Sequence, residues 1–172
     1  AVFCRQGWEC EATVTPEFGS DSAKMPLALV RLPATDDASS VCVVGIHGPP
    51  PAPFDPSGLG PYMEKVAAAI SEGRMVRDWG PCMADDGVVV VGDMNHVPGS
   101  LAHRTLLATG LRDGLQGWGV FAASWPAGGG WPNFPVFALD TVLVGQGRVG
   151  GVRQIRVPGA DHIAMFMTIG VE

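Results

Sequence analysis

The chain has 172 residues, of which 47% are hydrophobic, and its 11 basic and 17 acidic residues give a formal net charge of −6. This length and apolar content suit one domain, predicted to span residues 1–172, and exclude a disordered chain. The acidic balance argues against duplex DNA as a partner, because non-specific DNA binding depends on Lys and Arg, and the lack of an apolar run of ~20 residues predicts no membrane span.

The first half of the chain is predicted to contain two strands and one helix. Residues 27–32 and 41–47 have the apolar pattern of buried strands, and the second strand ends on His47. Residues 48–53 include four prolines, which exclude helix or inner strand because proline lacks a backbone N–H. A helix is predicted from residue 61 to about residue 79, because proline suits a first turn and apolar residues recur at helical spacing.

The second half is predicted to contain four strands and a short helix. Residues 87–92 include four consecutive valines and are typical of a buried strand. Ser100 is the predicted N-cap of a helix over 101–108, which Gly110 ends. Further strands are predicted at 136–144, 149–157 and 163–169. Because several strands are apolar on both faces, we predict an α+β protein in which two sheets pack face to face with helices outside.

The four cysteines include no C-x-x-C pair, which argues against a structural zinc site. Cys42 lies in an apolar strand pattern and is predicted to be a buried thiol. Cys4 and Cys10 are near enough in sequence for a local disulfide in an oxidising compartment, and the alternative of free thiols stays open. An extracytoplasmic location is slightly favoured.

Asp93 and Asn95 follow the strand of four valines. Residues two apart in an extended chain point the same way, so a carboxylate and a carboxamide are expected side by side at the end of a sheet. Such a pair suits a cation, a water or a phosphate oxygen. The structural alternative is ordinary turn chemistry, which Asp and Asn also favour.

Other ionisable residues lie at comparable places. His47 ends a buried strand, Asp140 lies within the strand over 136–144, and Asp161 and His162 come directly before the last strand. Burying an unpaired charge is costly, so each is a candidate site residue. The structural alternatives are a hydrogen-bonded His47, an Asp140 that belongs to a buried pair and an Asp161 that caps a turn. His96 and His103 are predicted to be surface residues.

Taken in order, these motifs resemble the endonuclease/exonuclease/phosphatase superfamily, which has the DNase-I-like fold. The matching residues are Ile46-His47, Gly92-Asp93-Met94-Asn95, Leu139-Asp140-Thr141 and Ala160-Asp161-His162. The resemblance implies a four-layer α/β/β/α sandwich of two mixed β-sheets. It also implies hydrolysis of phosphate esters by activated water with Mg (or Mn or Ca) as cofactor, since a cation offsets the charge that develops on phosphate.

The resemblance assigns a role to each matching residue. His162 would be the general base and Asp140 its orienting partner. Asp93 would position the attacking water or touch a metal, Asn95 would bind a phosphate oxygen, and His47 would stabilise the phosphate from the other side. The implied metal ligands are Asp161, directly or through water, and Asp93.

The chain also departs from the superfamily pattern. The strand that carries an Asn and the following motif with the main metal-ligating Glu have no match here, so the sandwich is expected to lack its N-terminal strands in this chain. A complementary N-terminal segment or second chain is one explanation, and a shortened, inactive homologue is the other. The first is favoured, because the apolar strands need cover.

Three functions remain in competition. The first is a metal-dependent phosphoesterase, the second is a non-catalytic binding or structural module on the same fold, and the third is an unrelated α+β protein whose polar residues cap turns. The substrate class stays open. Apolar loops over 48–61 and 125–132 are expected to flank the cleft, which would suit a lipid phosphate or a small phosphoester.

Overall fold

The computed structural model describes residues 11–14, 28–32, 34, 39–50, 59–73, 82–116, 122–128 and 134–170. These residues form two sheets and two helices. The elements are β1 (Glu11–Val14), β2 (Ala28–Leu32), β3 (Val41–His47), α1 (Leu59–Ser71), β4 (Gly87–Asp93), α2 (Leu101–Leu107), β5 (Arg112–Asp113), β6 (Asp140–Val144), β7 (Arg148–Arg156) and β8 (Ile163–Gly170). The α+β class with two sheets is therefore confirmed.

The larger sheet has six strands in the order β1-β2-β3-β4-β6-β5, and the smaller one pairs β7 with β8. The larger sheet is mixed, because β3 and β4 run parallel while the other neighbours are antiparallel. Parallel neighbours need a crossover, and α1 lies in the connection from β3 to β4. This topology puts the ends of β3 and β4 at the same edge of the sheet, together with the start of β6.

Two apolar clusters cover the two faces of the six-stranded sheet. On one face, Val44, Val90 and Leu143 pack with residues of α1 and α2. On the other face, Val89 and Val142 pack with residues of β7 and β8. The described residues therefore form three layers in the order helices, six-stranded sheet and two-stranded sheet. That the chain lacks N-terminal strands stays a prediction.

The strand predictions over 41–47 and 87–92 are confirmed, with Asp93 as the last residue of β4. The strand predicted over 136–144 is wrong at its start: β6 begins at Asp140, and an isolated bridge joins Phe137 to Trp125 before it. Asp140 thus opens a strand rather than interrupting one. A carboxylate at the mouth of a sheet reaches solvent and partners more easily than one in its middle.

The helix α1 begins two residues earlier than predicted and ends at Ser71. Pro61 lies in its first turn, where a missing N–H costs no helical hydrogen bond. Gly73 follows with φ 63°, a left-handed conformation that commonly ends helices. The predicted continuation over residues 74–79 lies outside the described residues. In α2, Ser100 is the N-cap as predicted, since its Oγ accepts from the backbone N–H of His103.

Cys42 is buried as predicted, but the prediction of a free thiol is wrong. Cys42 in β3 forms a disulfide with Cys82, which lies shortly before β4, and the bond closes a sequence separation of 40 residues. Neither cysteine belongs to a recognisable sequence motif, so spacing alone did not indicate the pair. The disulfide ties the two parallel strands that carry His47 and Asp93. The predicted pair of Cys4 and Cys10 lies outside the described residues.

The prediction that His96 and His103 lie on the surface is wrong. Both are 4% exposed, and their ring centroids are 5.7 Å apart beneath α2. His103 Nδ1 accepts from the backbone N–H of Gly99, and its Nε2 lies 3.3 Å from Asp113 Oδ2. The polarity of these residues suggested exposure, whereas their burial depends on how α2 and β5 fold back over the loop after β4.

The helices of the described part of the chain are too short or too polar to cross a bilayer.

Candidate active site

Three predicted site residues form one row across the edge of the six-stranded sheet. In the pairing of β3 with β4, His47 lies opposite Asp93, and in the pairing of β4 with β6, Asp93 lies opposite Asp140. Side chains alternate between the faces of a strand, so Asp93 shares the face of Val89 and Asp140 that of Val142. This is the face that packs on β7 and β8. The row therefore points into the space between the sheets.

His162 comes to this row from the other sheet, in the turn directly before β8. Its Nδ1 lies 2.7 Å from Asp140 Oδ2, and its Nε2 lies 3.6 Å from Asp93 Oδ2. His47 Nε2 lies 3.8 Å from the same Asp93 oxygen. Two histidines and two carboxylates thus converge from three strands and one turn, with Asp93 between the two rings.

The carboxylates around His162 make its imidazole a stronger base than an isolated one. Burial alone lowers the pKa of His162, but the hydrogen bond and charge of Asp140, with the charges of Asp93 and Asp161, outweigh it and raise that pKa above its usual value. A base of raised pKa holds an abstracted proton more firmly.

The pKa of Asp93 is also raised. Burial is the main cause, and the neighbouring negative charge of Asp140 adds to it. The backbone N–H of Asn95 and the two histidines act in the opposite direction. The anionic form of Asp93 therefore lacks full compensation in this arrangement, which is the situation in which a bound cation or a hydrogen-bonded water stabilises a carboxylate.

Asn95 does not extend beside Asp93 in the way that the i, i+2 argument predicted. Its φ is 50°, so the chain leaves the extended conformation after Met94. The backbone N–H of Asn95 donates to Asp93 Oδ1 at 2.9 Å, and its Nδ2 donates to the carbonyl oxygen of Gly48 at 2.7 Å. The Asx turn that was the structural alternative is present, and it holds both residues at the site, because Gly48 directly follows His47.

Asp161 is exposed and adjoins His162. Its backbone carbonyl accepts from the N–H of Ala127 at 2.6 Å, and its charge contributes to the raised pKa of His162. The structure thus places the carboxylate near the site on its solvent side. Its assignment as a metal ligand stays a prediction.

Ser124 is a site residue to which sequence reasoning assigned no role. It is fully buried, its Oγ accepts from the backbone N–H of Asp140 at 3.2 Å, and its carbonyl accepts from the N–H of Ile163 at 2.8 Å. One residue therefore links the strand of Asp140 to the strand that follows His162. Its place directly before Trp125 and Pro126 was the only local signal in the sequence, and it says nothing of these contacts.

Gly92 precedes Asp93 and allows β4 to approach β3. Its φ is 139°, and a Cβ at this position would collide with the carbonyl oxygen of Ile46. Any side chain would push the two strands apart or twist Asp93 away from His47. The glycine of the Gly92-Asp93 motif thus has a steric function.

A cavity of about 410 Å³ opens between the sheets beside these residues. Asp140 and His162 provide its polar wall, whereas Val91, Val157 and Met165 are among its apolar lining residues. A group of a bound ligand can therefore reach the histidine from an apolar space.

The described residues at this site offer a metal ion few protein ligands. No group of three or more His, Cys, Asp or Glu side chains suited to a metal occurs within the described ranges. Mg²⁺, however, commonly binds through one or two carboxylates and otherwise through water and phosphate oxygens. The undercompensated charge of Asp93 beside Asp140 fits such a cation.

No protein-family model matches the sequence, and neither does any curated protein. Solved structures do match the fold. TDP2 of D. rerio, in complex with a single-strand DNA product, superposes with a TM-score of 0.66 at 13% sequence identity. The superposed region covers 95% of this chain and 67% of the TDP2 chain. The mannosyl-6-phosphatase of Bacteroides thetaiotaomicron gives a TM-score of 0.58 at 13% sequence identity. That match covers 94% of this chain and 65% of the phosphatase chain.

Beta toxin of Staphylococcus aureus with bound magnesium ions gives a TM-score of 0.53 at 12% identity, and covers 85% of this chain and 57% of its own. The chain thus spans roughly two thirds or less of these proteins. A protein of the endonuclease/exonuclease/phosphatase family is also among the similar structures, with a TM-score of 0.61. The resemblance seen in the sequence is confirmed for the fold, which is DNase-I-like.

Proposed function

We propose that this chain carries the catalytic residues of a metal-dependent phosphoesterase, which hydrolyses a phosphodiester or phosphomonoester with activated water. The observation that carries the proposal is the contact of His162 with Asp140, 2.7 Å long, in a row that also contains Asp93 and His47. The fold supports it, because the structural neighbours include a phosphatase and a protein with bound magnesium.

In this proposal His162 is the general base. Its Nδ1 donates to Asp140, which leaves Nε2, the ring nitrogen nearer to Asp93, as the one with a free lone pair. The 3.6 Å between Nε2 and Asp93 Oδ2 allows one water to lie about 2.8 Å from both atoms. Nε2 takes a proton from that water as the water oxygen bonds to phosphorus, and Asp140 stabilises the resulting imidazolium. The P–O bond to the ester group breaks at the same time, and the leaving oxygen keeps its electron pair and is then protonated from solvent.

Two polar residues at the opposite side of the row are proposed to bind the phosphate. The side chain of His47 is 56% exposed and can donate to a phosphate oxygen from the solvent side. Asn95 uses one amide hydrogen for Gly48, so its second amide hydrogen is available to a phosphate oxygen. Both residues act on the substrate, while His162 and Asp93 act on the water.

Asp93 and Asp161 are the proposed ligands of a magnesium ion. When bound, the ion would offset the negative charge that develops on the phosphate and its leaving oxygen. The superfamily pattern has its main metal-ligating Glu in a motif with no match in this chain. We therefore propose that a complementary segment or second chain supplies this ligand, and co-purification from the native source tests for it.

The non-catalytic module on the same fold is the second candidate. It is favoured by the absence of a three-ligand metal cluster in the residues that the structure describes. It predicts that millimolar Mg²⁺ leaves the melting temperature unchanged. A magnesium-dependent rise in that temperature which disappears in Asp93→Ala would contradict it.

The test of the phosphoesterase is a panel of soluble phosphomonoesters and phosphodiesters, assayed with and without Mg²⁺ on this chain together with the segment or chain that supplies the missing ligand. His162→Ala and Asp93→Ala should each abolish hydrolysis. Glu64→Ala, at an exposed position of α1, is the matched control and should retain it. Hydrolysis that persists in both site variants would refute the proposal.

We also propose an extracytoplasmic location. The disulfide between Cys42 and Cys82 supports it, because disulfides persist mainly in oxidising compartments. Thiol trapping of the protein taken directly from cells tests this, since alkylated Cys42 and Cys82 would contradict it.

A further inference from the structure

Exposed large apolar side chains concentrate at the end of the molecule that carries the site. Among the described residues, most of the exposed large apolar side chains come from its loops and from the start of α2. We call six of them the apolar rim: Val97, Leu101, Trp125, Phe134, Phe137 and Val157. Such a cluster is unusual for a surface that faces water alone.

The strand order explains why the rim surrounds the site. Val97 and Leu101 follow Asp93, the last residue of β4, while Phe134 and Phe137 precede Asp140, the first residue of the antiparallel β6. Val157 follows β7 and begins the turn that holds His162. Each part of the rim is therefore within a few residues of a site residue, and all parts lie at one edge of the sheets.

One wall of the rim is built as a rigid platform. The backbone N–H of Phe137 donates to the carbonyl of Trp125, and that of Ser124 donates to the carbonyl of Phe137, both at 2.9 Å. The rings of Trp125 and Phe137 are 5.9 Å apart. Phe134, three residues before Phe137 in the chain, is 62% exposed. Aromatic residues of this kind are favoured where an apolar phase meets water.

The rim continues into the apolar cavity beside the catalytic pair. Val157 belongs to both, since it is 43% exposed and also lines the cavity. Val157 thus connects the exposed rim to the cavity that His162 lines. A small water-soluble phosphoester needs no such connection.

Charge argues against a polyanionic occupant. The chain has a net charge of −6, and the row at the site contributes Asp93 and Asp140. Arg156, one of the cationic side chains at this end, donates to the carbonyl of Ala127. Nucleic acid and strongly anionic membranes are bound by clusters of Lys and Arg, whereas a zwitterionic lipid surface needs apolar contact and no excess of positive charge.

We propose that the apolar rim seats the protein on a zwitterionic lipid surface and that the site acts on the phosphoester headgroup of a lipid in that surface. This inference rests on the proposed phosphoesterase for its second part. Its first part, membrane association, is independent of catalysis.

The test is sedimentation with phosphatidylcholine vesicles. Phe134→Ser should lower the partition coefficient roughly tenfold, as expected when one large apolar side chain no longer enters the interface. Phe166→Ser is the matched control: Phe166 is 63% exposed, similar to Phe134, but lies on the outer face of β8. That variant should bind as the wild type does, and raising the salt concentration should change neither result.

Two outcomes would overturn the inference. One is a wild type that stays in the supernatant, and the other is an equal loss of binding in Phe134→Ser and Phe166→Ser.

Hydrolysis assays separate the proposed membrane association from the proposed phosphoesterase activity. Phe134→Ser should slow hydrolysis of vesicle phospholipid while leaving hydrolysis of soluble bis-para-nitrophenyl phosphate unchanged, and an equal decrease on both substrates would assign the rim to a soluble ester instead. Vesicle binding without hydrolysis of either substrate, with Mg²⁺ and the complementary segment or chain present, would refute the phosphoesterase and retain the membrane surface.

Discussion

The buried His96 makes the stability of this protein depend on pH in a specific way. Burial is the main reason that its pKa falls from 6.5 to about 4, and the charge of His103 lowers it further. Neither ring nitrogen has a well-formed hydrogen bond in the described part of the chain, although the backbone of Val97 and of His96 itself gives the protonated form weak support. We expect that replacing His96 with Leu removes this dependence.

The sign follows from proton uptake. As the pH falls below 6.5, the unfolded chain binds a proton at His96 that the folded chain does not bind until about pH 4. Acid therefore favours the unfolded state, and between pH 7 and pH 5 this one group should cost the wild type about 2 kcal/mol of unfolding free energy. The variant His96→Leu should lack this cost.

Urea unfolding at constant ionic strength measures the difference directly. The unfolding free energy of His96→Leu should rise relative to that of the wild type by about 2 kcal/mol when the pH is lowered from 7 to 5. His96→Phe, which has a different shape, should give the same pH-dependent gain whatever its stability at pH 7. A constant difference between wild type and both variants across this range would refute the reasoning.

Three further predictions concern the site and the strands that hold it. Asp140→Asn should lower the hydrolysis rate about ten- to hundredfold in steady-state kinetics, because a charge-assisted hydrogen bond to His162 is lost, and an unchanged rate would show that Asp140 does not orient the base. Gly92→Ala should lower the unfolding free energy by at least about 2 kcal/mol more than Gly99→Ala does. Both glycines have positive φ, but a Cβ at Gly92 meets Ile46 whereas a Cβ at Gly99 meets open space. Equal losses would mean that the contact with Ile46 does not matter. Replacing Cys42 and Cys82 together with Ala should cost about 3–4 kcal/mol for the 40-residue separation, and a loss under about 1 kcal/mol would contradict this.

The sequence was sufficient to predict the two strands that end at His47 and Asp93. The runs that end at His47 and Asp93 are continuous apolar segments, and such a pattern follows directly from burial on both faces. The resemblance to a known superfamily then supplied the pairing of His162 with Asp140, which the structure contains as a 2.7 Å contact. Local periodicity would not have joined residues that are 22 positions apart.

Where sequence reasoning failed, contacts between distant segments decided the outcome. The disulfide of Cys42 depends on where the chain returns after α1, and the burial of His96 depends on α2 packing over it. The geometry of an extended strand predicted that the side chain of Asn95 points the same way as that of Asp93. Instead, the hydrogen bond from the backbone N–H of Asn95 to Asp93 bends the chain at that point. Here a short-range turn preference prevailed over the strand period.

The central claim is that His162 activates a water for attack on phosphorus, and hydrolysis in water enriched in oxygen-18 tests it most directly. Mass spectrometry of the phosphate product should show one solvent oxygen per turnover with the wild type, in a reaction that requires Mg²⁺. His162→Ala should release no labelled product above the uncatalysed background. Labelled product formed by His162→Ala at the wild-type rate, or product whose oxygen does not come from water, would contradict the account.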